Sequence, residues 1–144
     1  MGKSSRKKGR KQTDIEELLQ AILEEQFITF ATEYRRGTYN VDFYIPDCSL
    51  SIQADQDYWH SPCIKCNYKA ELLPRQKYQA LKDKACISFH KRYKLSIMRF
   101  CGCEIKGEKD FVRKSIVKAM EQIKQGNLVY RNRKMTQEKR KGKR

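Results

Sequence analysis

The chain has 144 residues, with 32 Lys plus Arg against 17 Asp plus Glu, a net charge of +15, and six Cys. That length predicts one domain with one modest core, burying roughly two thirds of the unfolded surface. The charge predicts a polyanionic partner, nucleic acid first; no long apolar run or basic amphipathic helix speaks for a membrane.

Residues 1–12 are a basic arm without apolar residues, predicted to be disordered alone. It reads as a solubilising tail or as an arm that tracks phosphates. No apolar region follows it, so no signal peptide is expected and the cysteines are read in a reducing, cytoplasmic setting. Thr13-Asp14-Ile15-Glu16 is a capping box that opens a helix ending near Glu25 or Gln26. Ile15, Leu18, Leu19, Ile22 and Leu23 form its apolar stripe. As a cap, Glu16 has a complete structural explanation.

Phe27 to Glu33 reads as a strand, and Tyr34-Arg35-Arg36-Gly37 as a turn. Arg35 and Arg36 are either solvated turn residues or contacts to a nucleic-acid backbone. Tyr39, Val41, Phe43 and Ile45 alternate with polar neighbours, and so do Leu50, Ile52 and Ala54. A period of two predicts two half-buried strands, joined by a turn at Pro46, Asp47 and Cys48. This pairing puts Asp42 beside Gln53 and Asp55, opposite the apolar face. Asp57-Tyr58-Trp59-His60 follows, with the only Trp. Carboxylates with a histidine close by suit a divalent metal and a proton-transfer step.

Pro74 suits the start of a helix running to about Lys91, with Tyr78, Leu81, Ala85, Ile87 and Phe89 as an imperfect apolar stripe. Tyr93 to Phe100 reads as a strand broken by Cys101-Gly102-Cys103. A helix over 109–125 turns Phe111, Ile116, Val117, Met120 and Ile123 inward and ends at Gly126. Residues 127–144 form a basic tail. The order helix, three strands, helix, strand, helix predicts an α/β fold, a mixed sheet flanked by helices, over residues 13–126.

Cys63-x-x-Cys66 and Cys101-x-Cys103 are two close-spaced pairs. Such pairs on turns provide the four soft ligands of a structural zinc site; the alternative is reduced or buried thiols. Cys48 and Cys86 read as small core residues.

Taken together, Val41-Asp42-Phe43, Ile52 to His60, Ile15-Glu16-x-x-Leu19-x-x-x-Leu23, Leu81-Lys82-Asp83-Lys84 and Tyr93 to Phe100 resemble the very-short-patch-repair (Vsr) endonucleases and the Vsr-like phage homing endonucleases. These belong to the PD-(D/E)XK, restriction-endonuclease-like superfamily. The resemblance spans roughly residues 13–123, and Asp57-Tyr58-Trp59-His60 is its most specific part. Gln53 stands where the family usually has an acid, Gln56 where it usually has Gly, and no Lys fills the superfamily's catalytic Lys position.

The resemblance implies a restriction-endonuclease-like fold with a structural zinc, in the cytoplasm of a bacterial or phage-infected cell. The implied activity is Mg²⁺-dependent hydrolysis of DNA phosphodiester bonds, by nicking or by cutting both strands. A non-catalytic, zinc-stabilised nucleic-acid-binding protein of the same fold is the alternative. In the implied site Asp42 and the Ala54 carbonyl ligate Mg²⁺, His60 transfers a proton, and Glu16 and Asp83 position water or a second metal. Gln53 and Asp55 complete it. Cys63, Cys66, Cys101 and Cys103 hold zinc, and Trp59 either stacks on bases or packs in the core.

Overall fold

The fold begins at the capping box. In the computed structural model, which describes residues 12–55 and 74–132, Thr13 Oγ1 accepts the Glu16 amide at 3.3 Å and Glu16 Oε1 accepts the Thr13 amide at 3.1 Å. Two of the four orphan amides of α1 (Asp14–Glu25) are thereby satisfied. Its stripe of Ile15, Leu19, Ile22 and Leu23 is buried.

α1 ends in a Schellman motif. The Phe27 amide donates to the Glu24 carbonyl at 3.0 Å and the Ile28 amide to Leu23 at 3.1 Å. Phe27 sits at φ +57 and is 94% exposed, so a left-handed position suited to glycine is filled by an aromatic whose ring stays in water. Phe27→Gly should therefore raise stability by about 1 kcal/mol, read as a higher urea midpoint at unchanged slope.

Because Phe27 is the helix stop, the strand expected from it begins later. β1 is Ala31–Arg36, β2 Tyr39–Ile45 and β3 Leu50–Asp55. Arg35 and Arg36, expected in a turn, are strand residues facing Asn40 and Tyr39, and the chain reverses at Gly37 and Thr38. A 3-10 turn over Pro46–Cys48, closed by Ser49 at φ +53, joins β2 to β3. α2 (Pro74–Arg92) crosses to β4 (Ser96–Cys101), which lies parallel to β3. A short helix not foreseen in the sequence, α3 (Gly102–Gly107), follows. Then come α4 (Lys109–Lys124) and β5 (Tyr130–Arg131), which extends the sheet past Gly126. The sheet order is β1-β2-β3-β4-β5, antiparallel through β3 and parallel from β3 onward.

One side of the sheet carries the apolar core. Phe43, Ile45, Leu50, Ile52, Ala54, Met98 and Phe100 pack with α1, with Ile105 of α3 and with Val112, Ile116 and Ala119 of α4. Of the inward residues expected on α4, Phe111 is instead exposed, beneath the Arg131 guanidinium.

The other side was expected to face water, yet Ser51 and Asp55 are fully buried. α2 covers it with a polar face. Gln76, Asp83, Cys86 and His90 are the buried residues of this helix, and the Tyr78 and Leu81 of the expected stripe are 64% and 65% exposed. The pattern follows from what the helix lies on, since Asp83 meets Arg99 of β4. At its far end Phe89 covers Gly37. A Cβ at Gly37, which has φ +62, would lie 2.3 Å from the ring's Cζ. Gly37→Ala should cost about 1–2 kcal/mol from backbone strain and about 1–3 kcal/mol from overpacking, measured by denaturant titration.

Candidate active site

The site lies where β2 and β3 part. Backbone pairing runs from Ile45–Leu50 to Phe43–Ile52 and stops. Beyond it, side chains replace the rungs. The Ala54 amide donates to Asp42 Oδ2 at 2.9 Å, and the Asp42 amide donates to Gln53 Oε1 at 3.1 Å. The two strands are thus wedged open by the two residues that the sequence placed side by side. Asp42 is left half-buried in the gap.

Glu16 reaches the same gap from the first turn of α1. Its side chain hydrogen-bonds Asp42, so the residue that caps the helix is also a site residue. Burial pushes the Asp42 carboxyl well above its ordinary value, the Glu16 charge adds to this, the Ala54 amide opposes it, and the Asp55 charge raises it further. Confined carboxylates that repel one another are what a divalent cation relieves.

Asp55 and Asp83 are joined by a residue the sequence reading did not single out. Arg99 Nε donates to Asp55 Oδ2 at 2.9 Å, Nη2 to Asp55 Oδ1 at 2.8 Å and also to Asp83 Oδ1 at 2.9 Å. Gln79 Nε2 donates to the same Asp83 oxygen at 3.1 Å. All three charged groups are buried. Burial disfavours the Arg99 charge, but Asp55 and Asp83 more than offset it, so its pKa is raised. With both oxygens engaged by Arg99, Asp55 acts on Asp42 through its charge. The signal for Arg99 was a charged residue inside an otherwise apolar strand, Ser96–Cys101.

Arg36 does not fit an external role. Its guanidinium is buried and donates to Ser51 Oγ at 2.9 Å, to the Ser49 carbonyl at 3.3 Å and to Tyr44 Oη at 3.4 Å. It also lies 4.6 Å from the Tyr44 ring centre, and Tyr44 stacks on Tyr34 at 3.9 Å. Of the expected pair, only Arg35 is exposed.

His90 is buried on α2, with Nδ1 2.8 Å from the Cys86 carbonyl. That contact places the proton on Nδ1. Nε2 is the one buried side-chain nitrogen or oxygen without a hydrogen-bond partner among the described residues. Burial lowers its pKa, the Cys86 carbonyl opposes this, and Arg36 and Arg99 lower it further.

Cys101 and Cys103 stand at the start of α3 with sulfurs 3.3 Å apart. Glu104 Oε1 accepts the Cys101 amide at 3.1 Å, and Arg131 pairs with Glu104 at 2.6 Å. Trp59, His60, Cys63 and Cys66 lie outside the described residues. Among the described residues, no group of three or more His, Cys, Asp or Glu stands together as a metal site. No described helix is long and apolar enough to cross a membrane.

No protein-family model matches the sequence, and no curated protein sequence matches it. Four solved chains do match. A mixed five-stranded sheet flanked by helices on both sides is an α/β fold. One of the matching solved chains is the catalytic domain of the homing endonuclease I-Bth0305I, at a TM-score of 0.55 and 23% identity, covering 74% of this chain and 93% of that one. At this identity the likeness is one of fold.

Proposed function

We propose that the protein is a metal-dependent endonuclease that hydrolyses phosphodiester bonds in DNA. The observation that carries the proposal is the opening between β2 and β3, with Asp42 held at its mouth by the Ala54 amide and Glu16 brought to it by the helix cap. It occurs in a fold shared with a homing endonuclease catalytic domain, which also fits the Vsr-like resemblance of Val41-Asp42-Phe43 and Asp57-Tyr58-Trp59-His60.

The donor set fits a hard cation. Asp42, Glu16 and the Ala54 carbonyl are oxygen ligands of the kind Mg²⁺ takes. When bound, Mg²⁺ would polarise the scissile phosphate and offset charge developing on its oxygens. The chain's own residues do the rest. The Ala54 amide orients the Asp42 carboxylate. Gln53 keeps the strands apart without adding charge. Arg99 holds Asp83 and Asp55 in place, Asp83 positions water, and His60 moves the proton. Zinc on Cys63, Cys66, Cys101 and Cys103 would tie the segment after His60 to the end of β4. The sulfur approach at Cys101 and Cys103 supports this reading.

One observation favours a non-catalytic DNA-binding protein of the same fold, namely that Gln53 brings no carboxylate to the opening. Supercoiled plasmid incubated with Mg²⁺ separates the two. Cleavage by the wild type that vanishes in Asp42→Asn and in His60→Ala supports the endonuclease. Undiminished cleavage in both variants contradicts it.

A further inference from the structure

We propose that the outward face of α2 is the surface on which the DNA backbone docks; the inference rests on the DNA reading above. α2 carries six Lys or Arg, and its only acid, Asp83, is turned inward onto Arg99. Its exposed surface is therefore of one sign, with Lys82, Lys84, Lys91 and Arg92 among the exposed residues. Tyr78 and Leu81 stand exposed among them, apolar area suited to the sugar face of a nucleotide.

The opposite side of the sheet has a different charge. α1 holds five acids and no Lys or Arg, and Asp14, Glu17, Glu24 and Glu25 are exposed. α4, which packs beside it, mixes its lysines with Asp110 and Glu121, and Asp110 is taken by Arg113. A polyanion approaching the domain is thus repelled by α1 and drawn to α2. At about 28 Å, α2 is longer than the roughly 12 Å width of a major groove, so its lysines can reach phosphates on both sides of one. On its inner face the same helix sets Asp83 against Arg99, the partner of Asp55. Arg35, exposed just before Gly37, stands at the end of α2 where Phe89 covers that turn.

The test is equilibrium binding of the full chain to a fluorescent DNA duplex at several salt concentrations, with no divalent cation added, so that cleavage plays no part. The triple variant Lys82→Glu, Lys84→Glu, Lys91→Glu is compared with Lys114→Glu, Lys118→Glu, Lys124→Glu on α4, which makes the same change in net charge. Each lost phosphate contact should reduce the salt slope by about 0.9, so the α2 triple should show a slope shallower by two to three and at least tenfold weaker binding. The α4 triple should change affinity less than threefold. Equal losses in the two triples, or a larger loss from α4, overturn the docking face while leaving DNA binding in place. A wild type with no salt-dependent binding overturns the DNA reading itself, and the docking face with it.

Discussion

Arg99→Met is expected to destabilise the protein by about 3–5 kcal/mol, the range for removing one partner of a buried ion pair. The mechanism is specific. Asp55 and Asp83 are both buried, and Arg99 donates to each. Without the guanidinium, two carboxylates remain in an interior that cannot solvate them, and they repel each other. The loss therefore resides in the acids left behind. Adding Asp55→Asn and Asp83→Asn to Arg99→Met should recover most of the stability, and Arg99→Lys, a point charge without the fork, should fall between. Urea titration of the four proteins reads this directly. A single Arg99→Met that costs under 1 kcal/mol, or a triple variant no better than the single, would contradict the bridging role.

Asp42→Asn should do the reverse to stability while removing activity. Asparagine keeps an oxygen for the Ala54 amide but carries no charge beside Glu16 and Asp55. In the wild type, burial, then Glu16 and Asp55, raise the Asp42 pKa above its ordinary value. A carboxyl whose folded pKa is raised binds its proton more tightly in the native state. It contributes stability below the unfolded pKa and loses it as pH rises through the folded value. The wild type should thus lose stability across that window and the variant should not, so the variant's advantage grows with pH. Cleavage should fall on the order of 10³-fold, as when a key electrostatic contact to a transition state is removed. Mg²⁺ should raise the wild-type Tm and leave that of Asp42→Asn unchanged. A variant less stable than wild type at neutral pH would show that Asp42 is structural.

Much of the central hairpin was legible because alternation along Tyr39–Ile45 and Leu50–Asp55 is a backbone-level signal, and Asp42 and Gln53 do stand together. What the alternation hid was the second layer. A polar strand face reads as solvent-facing, whereas here it is buried under an equally polar helix, so the stripe assigned to α2 fell on the wrong side. The helix ends show the same limit. α1, α2 and α4 all close with paired amide bonds of Schellman type, at Phe27, Lys94 and Gly126. Only Gly126 carries the residue that announces it, so the strand start at Ala31 was misplaced while the end of α4 was not. An arginine inside a strand gives no hint of its partners 44 and 16 residues away, so the sequence alone does not mark Arg99.

A crystal of the full chain soaked in Mn²⁺ and measured at the manganese edge bears most directly on the site. An anomalous peak in the gap between β2 and β3, ligated by the Asp42 carboxylate and the Ala54 carbonyl and lost in Asp42→Asn, is the predicted result. Saturating Mn²⁺ with no peak in that gap, or a peak that persists in Asp42→Asn, would contradict it.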